Sequence, residues 1–105
     1  KLKELADFYN GTYSQSGTYP AWEFKKDSRL RDVMVPIYTR MFGKEPKVLA
    51  IHAGLECGLL GDKLPGLDCV SIGPQMHDIH TSREKLEIAS TKRTWDFLLE
   101  VLKAL

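Results

Sequence analysis

A stretch of helical periodicity in the first half of the chain most constrains its fold. Between positions 29 and 42, apolar side chains recur three or four residues apart: Leu30, Val33, Met34, Ile37, Tyr38, Met41 and Phe42. Asp27 or Ser28 can cap the start of this helix, and Gly43 can end it in a left-handed cap. The pattern predicts a helix that packs through one apolar face, and so requires a partner surface.

Two further helices are predicted at the ends of the chain. Residues 1 to 8 place Leu2, Leu5 and Phe8 three apart, as on one helical face. The last helix begins after a cap at Ser90 or Thr91 and carries one apolar stripe, which consists of Trp95, Leu98, Leu99, Leu102 and Leu105.

Short apolar runs between these helices are typical of buried strands. Residues 47–52 (KVLAIH) and 67–72 (LDCVSI) are the two clearest, and residues 11–19 fit an exposed or edge strand. A loop with a single helical turn, from 55 to 60, is predicted after the first run, and residues 75–88 are predicted to form a loop. The expected fold class is therefore α/β, with a small mixed sheet and packed helices.

Length and charge narrow the function. The chain has 105 residues, enough for one small core, and its 15 basic and 14 acidic residues are well mixed. We expect no nucleic-acid partner, because no broad basic field exists, and no membrane span. Cys57 and Cys69 are twelve positions apart without CxxC spacing, so packed free thiols in a reducing cytoplasm are the simpler interpretation.

Histidines and a glutamate between positions 77 and 84 are the strongest candidates for chemistry. His77 and His80 could bind one metal if they lay on a helix, but the neighbouring sequence predicts a loop, so at most one is expected to be a ligand. A surface or hydrogen-bonded histidine is the commoner outcome for such a residue. No phosphate-binding glycine loop, nucleophile elbow or activated cysteine motif is present in the sequence.

Glu56 is the second candidate. It lies between Gly54 and Gly58, just after the first predicted strand, where α/β sheets place binding loops. Its carboxylate could receive an ammonium group, although a surface glutamate on a turn is the commoner reading. His52, at the end of that strand, can equally be a packed, hydrogen-bonded histidine.

Four motifs together resemble the C-terminal part of the aminoacylhistidine dipeptidase family. They are IHAGLECG (51–58), LPGLDCVSIGP (64–74), DIHTSRE (78–84) and the final TWDFLLEVLKAL. This family lies in a superfamily of di-zinc exopeptidases that includes peptidase T and carnosinase. The resemblance covers nearly the whole chain. It implies hydrolysis of Xaa-His and other unblocked dipeptides by zinc-activated water, with cobalt or manganese as other metals the site could take.

The resemblance assigns roles to residues. His80 matches a zinc ligand, Glu56 is placed to hold the free amino group of a dipeptide substrate, and Glu84 could cap or orient the loop. The remaining ligands of the two zinc ions and the general base lie in the N-terminal half of the family, so no catalytic residue is expected here. Ser82-Arg83 replaces the family's more usual Pro-Asp, which predicts a less rigid placement of His80.

Two hypotheses of function follow. In the first, the chain is the C-terminal fragment of a zinc dipeptidase: residues 1–22 end the lid domain and return from it, and residues 23–105 belong to the catalytic domain. The isolated chain is then expected to be inactive, and to self-associate through exposed strand edges. Whether the parent is a homodimer is left open. The alternative is a non-catalytic binding or interaction domain that retains the fold, against which an intact His80 weighs.

Overall fold

Four helices and one short hairpin make up the described part of the chain. The computed structural model describes residues 1–51 and 55–105. The helices are α1 (Leu2–Phe8), α2 (Arg29–Phe42), α3 (Glu56–Lys63) and α4 (Ile88–Ala104), and the strands β1 (Met76–His77) and β2 (Lys85–Leu86) lie between α3 and α4. The α/β class is confirmed, although the strands that form are not those predicted.

Helix α2 forms as predicted, with both caps in place. The Ser28 hydroxyl oxygen accepts a hydrogen bond from the Arg31 N–H at 3.1 Å, which satisfies a donor that the helix itself cannot. At the other end Gly43 has a φ of 69°, and its N–H donates to the Thr39 carbonyl at 2.9 Å. A side chain at this φ would be strained, so glycine is the natural terminator.

The core lies where α2 packs against α4. Its buried apolar residues are Met34, Ile37, Phe97 and Val101. The Tyr38 ring meets the Phe97 ring edge to face, with centroids 5.5 Å apart. Val70, from the segment before the hairpin, packs against the same cluster. A core of this size leaves most apolar side chains outside it.

Helix α4 starts earlier than predicted and buries a different face. Glu87 is its N-cap, so the predicted cap at Ser90 or Thr91 is wrong: both residues lie in the first turn. Phe97 and Val101 are buried, whereas Trp95 and Leu102, from the predicted apolar stripe, are 58% and 59% exposed. The helix is apolar on two sides, and only one of them meets α2.

The predicted central sheet does not form in the described residues. Residues 47–51 and 67–72 are irregular, as are residues 11–19, and position 52 lies outside the described part. A strand needs neighbours that satisfy its backbone groups, and in the described chain the one pairing is between β1 and β2. Residues 75–88, predicted as a loop, contain that hairpin instead. The helical turn predicted at 55–60 is present and extends to Lys63.

The chain is extended rather than rounded. Its radius of gyration is 19.1 Å, and its principal extents are 60 × 37 × 22 Å. A compact domain of this length has a radius of gyration of about 13 Å. None of the described helices combines the length and apolar character needed to cross a lipid bilayer.

Candidate functional site

The β1–β2 hairpin presents the DIHT motif. Its strands pair antiparallel, with Met76 opposite Leu86 and His77 opposite Lys85. A two-residue ladder is too short to be stable alone. The seven residues that it brackets, 78 to 84, form the connecting turn and contain His80.

Contacts with the start of α4 hold the base of the hairpin. The Gln75 N–H donates to the Ser90 hydroxyl oxygen at 2.8 Å, and that hydroxyl donates to the Glu87 carbonyl at 2.7 Å. The Glu87 N–H in turn donates to the Gln75 carbonyl at 3.0 Å. Ser90 is buried, so this short polar network adds to the two-residue ladder and fixes the base of the hairpin.

His80 is exposed in the turn and has an uncommon backbone conformation. Its φ is 62°, and that of Asp78 is 49°, both in the left-handed region. Such a conformation costs a non-glycine residue about 1 to 2 kcal/mol and persists where neighbouring groups fix it. Here the Glu84 carboxylate Oε2 accepts from the His80 N–H at 2.9 Å, and the Thr81 hydroxyl donates to the Asp78 carbonyl at 2.7 Å.

The described residues do not assemble a metal centre by themselves. Among them, no three His, Cys, Asp or Glu side chains lie close enough together to hold an ion. Protein zinc sites use about three or four such ligands. The turn presents one exposed imidazole, that of His80, on a backbone that a hydrogen bond from the His80 N–H to Glu84 fixes. His77 lies in β1, opposite Lys85, and is also exposed.

Glu56 is the first residue of α3 and is exposed to solvent. A carboxylate there interacts favourably with the positive end of the helix dipole. No hydrogen bond or ion pair between Glu56 and His80 occurs in residues 1–51 and 55–105. Gly54 and His52, named with Glu56 in the sequence, lie outside the described residues.

A close backbone approach positions α3 against the aromatic turn at 19–22. Gly58 is buried, and a Cβ added to it would lie 2.8 Å from the Pro20 carbonyl oxygen and 3.5 Å from the Trp22 Cβ. A separation under 3 Å from a backbone atom requires the backbone to move. Gly58 is therefore required by packing, and it fixes where the helix that carries Glu56 can lie.

Asp68 links the segment before the hairpin to α2. Its Oδ2 accepts from the Leu30 N–H at 2.9 Å, at the N-terminal end of the helix. This backbone hydrogen bond lowers the pKa of the Asp68 carboxyl below its usual 3.8. In the next residue, burial raises the pKa of the Cys69 thiol above its usual 9.0, and nearby Cys57 adds to the shift.

Three residues that order the site have weak signals in the sequence. Ser90 resembles an ordinary N-cap, yet its hydroxyl binds the hairpin base. Asp68 binds the N-terminal end of α2 at Leu30, 38 positions before it, a contact that no local pattern encodes. Gly58 looks like a loop glycine, and its contact with Pro20 is equally remote in sequence.

The chain is similar to dipeptidases over nearly its whole length. It is 39% identical over 102 residues to the cytosol non-specific dipeptidase of Escherichia coli (strain K12), a match that covers 97% of this chain and 21% of that protein. The crystal structure of aminoacylhistidine dipeptidase from Vibrio alginolyticus superposes with a TM-score of 0.84 at 34% identity, covering 99% of this chain and 21% of that one. No protein-family model matches the chain.

These two likenesses confirm the resemblance to the C-terminal part of aminoacylhistidine dipeptidase that the four motifs indicate. They also confirm that the fold is that of the corresponding part of a dipeptidase, with a mixture of helices and a small antiparallel sheet. The chain spans about a fifth of the length of each relative, since each match covers 21% of it.

Proposed function

We propose that this chain is the C-terminal part of a dipeptidase that hydrolyses Xaa-His and other unblocked dipeptides. The observation that carries the proposal is the fixed turn with His80, in a chain that is similar to dipeptidases over 97% of its length. The relatives' names supply the reaction class, which is hydrolysis of a peptide bond in a dipeptide. Residues 1–22 would come from the lid domain and residues 23–105 from the catalytic domain.

His80 would supply one imidazole ligand to a site of two zinc ions, with cobalt or manganese as substitutes. The support is the exposed position of His80 and the hydrogen bond that fixes its backbone. A bound zinc ion lowers the pKa of its water and polarises the peptide carbonyl. The other ligands and the general base would come from parts of the relatives that this chain does not match.

Glu56 would hold the free amino group of the dipeptide. It is exposed and forms no ion pair within the described residues. It is also the first residue of α3, which packs closely against Pro20 at Gly58. A carboxylate attracts an ammonium group and gives a blocked N-terminus nothing to bind, so the residue would favour unblocked substrates.

Alone, the chain should be inactive. One histidine cannot hold a catalytic zinc ion, because such sites use about three protein ligands. Large apolar side chains such as Leu49 and Trp95, 71% and 58% exposed, form surface that the rest of a larger protein would cover. We also propose that the isolated chain self-associates through the unpaired segments 47–51 and 67–72. The parent protein would be a homodimer, and it would be cytosolic, as the relative's name states for that protein.

Two substitutions in the longer protein that contains this chain test the proposal. His80→Ala should weaken binding of the zinc ion that His80 would hold, measured as a lower zinc content by metal analysis, and abolish dipeptide hydrolysis. Glu56→Ala should raise the KM about tenfold or more, since a hydrogen bond to a charged group contributes roughly 1.5 to 3 kcal/mol. Glu56→Gln keeps the size and removes the charge, so it should behave like Glu56→Ala. Unchanged zinc content in His80→Ala, or an unchanged KM in both Glu56 variants, would contradict the respective role.

A further inference from the structure

Residue 80 must keep a left-handed backbone to present its side chain as the structure shows. Asp78 and His80 have φ values of 49° and 62°. Neither residue is a glycine, so both need neighbouring groups that favour this conformation. The same sequence without such groups would relax to an ordinary turn, and the Cβ of His80 would leave the backbone in another direction.

The Glu84 carboxylate supplies the contact at His80 itself. Its Oε2 accepts from the His80 N–H at 2.9 Å, a hydrogen bond strengthened by the negative charge. Glu84 is itself fixed: its N–H donates to the Thr81 carbonyl at 3.2 Å, and the next residue, Lys85, pairs with His77. The carboxylate therefore reaches His80 from an anchored backbone.

No competing partner for this carboxylate occurs in the described residues. Within 1–51 and 55–105, no lysine, arginine or histidine lies within ion-pair distance of Glu84, although Arg83 and Lys85 flank it. In the same residues, Glu84 is not part of a group of three His, Cys, Asp or Glu side chains that could hold a metal ion. In the described part of the chain, the one hydrogen bond of the Glu84 side chain is with the backbone of His80.

We propose that Glu84 is a positioning residue, whose carboxylate holds the His80 backbone in its left-handed conformation and so sets the metal affinity of the imidazole. This rests on the proposed role of His80 as a metal ligand. Neither Ser82 nor Arg83, which lie between the two residues, fixes the backbone as a proline ring would, so the restraint on this turn comes from a side-chain hydrogen bond.

The test uses the longer protein that contains this chain, with four variants: Glu84→Ala, Glu84→Gln, His80→Ala and, as a control, Glu45→Ala, which removes an exposed carboxylate after α2. Two quantities are measured. Millisecond hydrogen–deuterium exchange of the metal-free protein reports the His80 amide, and competition with a chelator of known affinity reports zinc binding.

Glu84→Ala is expected to speed exchange at the His80 amide and weaken zinc binding about tenfold, the scale for groups that orient a ligand. Glu84→Gln keeps an acceptor oxygen and should retain most of both. Glu45→Ala should change neither. If Glu84→Ala fails to fold, Glu84→Asp, one methylene shorter, takes its place with the same expectation.

Unchanged exchange in Glu84→Ala would overturn the role of the hydrogen bond. Faster exchange with unchanged zinc affinity would overturn the positioning role, as would a Gln variant as weak as the Ala variant. If His80→Ala leaves zinc affinity unchanged, the proposed function of His80 fails, while the exchange data still decide whether Glu84 fixes the turn.

Discussion

The α2–α4 pair and the two apolar segments at 47–51 and 67–72 are both rich in large apolar side chains, yet only the first forms a core. Each helix satisfies its own backbone hydrogen bonds and needs only a second apolar face, which the chain provides. Each segment, as a strand, would need paired neighbours on both sides. In the described chain those neighbours are not present, and Leu49 remains 71% exposed.

The difference shows that α2 and α4 find their packing partners within this chain, whereas the segments 47–51 and 67–72 find no strand to pair with in its described part. The segment 67–72 is an intermediate case. It lacks a ladder, yet Val70 packs on the helix pair and Asp68 binds the start of α2. Contacts of Val70 and Asp68 with the helix pair thus fix residues 67–72, although these residues pair with no strand in the described chain.

Of the substitutions that test this comparison, Phe97→Ala should lower the stability of the chain most. Phe97 is 5% exposed and meets the Tyr38 ring, so its loss should lower the free energy of unfolding by about 3 to 5 kcal/mol. Chemical denaturation followed by circular dichroism measures it. Trp95→Ala, two residues away on the exposed side of α4, is the control and should cost far less. Equal losses would mean that the two faces of α4 do not differ as described.

Gly58→Ala should have the next largest effect: it should destabilise the chain, whereas its control, Gly61→Ala, should stabilise it. The new methyl group would lie 2.8 Å from the Pro20 carbonyl oxygen, so α3 and residues 20–22 must separate, at about 1 to 3 kcal/mol. Gly61→Ala, in the same helix, meets no neighbour within 4 Å and should stabilise the chain by about 0.5 to 1 kcal/mol through helix propensity. Thermal unfolding of both variants checks this. Two shifts of the same sign would contradict the contact with Pro20.

Asp68→Asn tests the tie between the open segment and the helix pair. At neutral pH the loss of a charged cap at the Leu30 N–H should cost about 1 kcal/mol. The folded pKa of Asp68 is lowered, so its contribution is present above the usual carboxyl value of 3.8 and is lost as pH falls through the lower folded pKa. Wild type should therefore lose stability below about pH 4 more steeply than Asp68→Asn does.

The control for that experiment is Asp62→Asn, which removes an exposed carboxylate 3.7 Å from Lys63. Exposed pairs of this kind contribute little. Its pH dependence should match that of the wild type. If Asp68→Asn also matches the wild type across this pH range, the carboxylate does not anchor the segment.

Local sequence signals predicted the elements whose hydrogen bonds lie within a single stretch of chain. Helix α2 was predictable from its period together with Ser28 and Gly43, because each signal lies within or beside the helix. The hairpin was not predictable: its strands have two residues each, and the turn contains no Asn-Gly or Asp-Gly pair. The predicted strands at 47–52 and 67–72 have the right composition, but pairing depends on distant chain, which periodicity cannot report.

The candidate site divides in the same way. His80 and Glu56 were identified through motifs, and their roles remain predictions. The contacts that order the site, from Ser90 to Gln75 and from Asp68 to Leu30, join residues 15 and 38 positions apart. The face of α4 that is buried was not predictable either, because two apolar faces compete and the choice depends on α2.

The smallest expected effect is that of Leu102→Ala, on the exposed side of α4. Leu102 is 59% exposed, so the substitution should change the free energy of unfolding of this chain by less than about 0.5 kcal/mol. In a longer protein that covers this face, the same change should cost about 2 to 5 kcal/mol, because a buried leucine would be truncated. Denaturation of both proteins measures the contrast. A large loss in this chain alone would mean that copies of the chain cover the face, and size-exclusion chromatography at several concentrations would then show a species larger than a monomer.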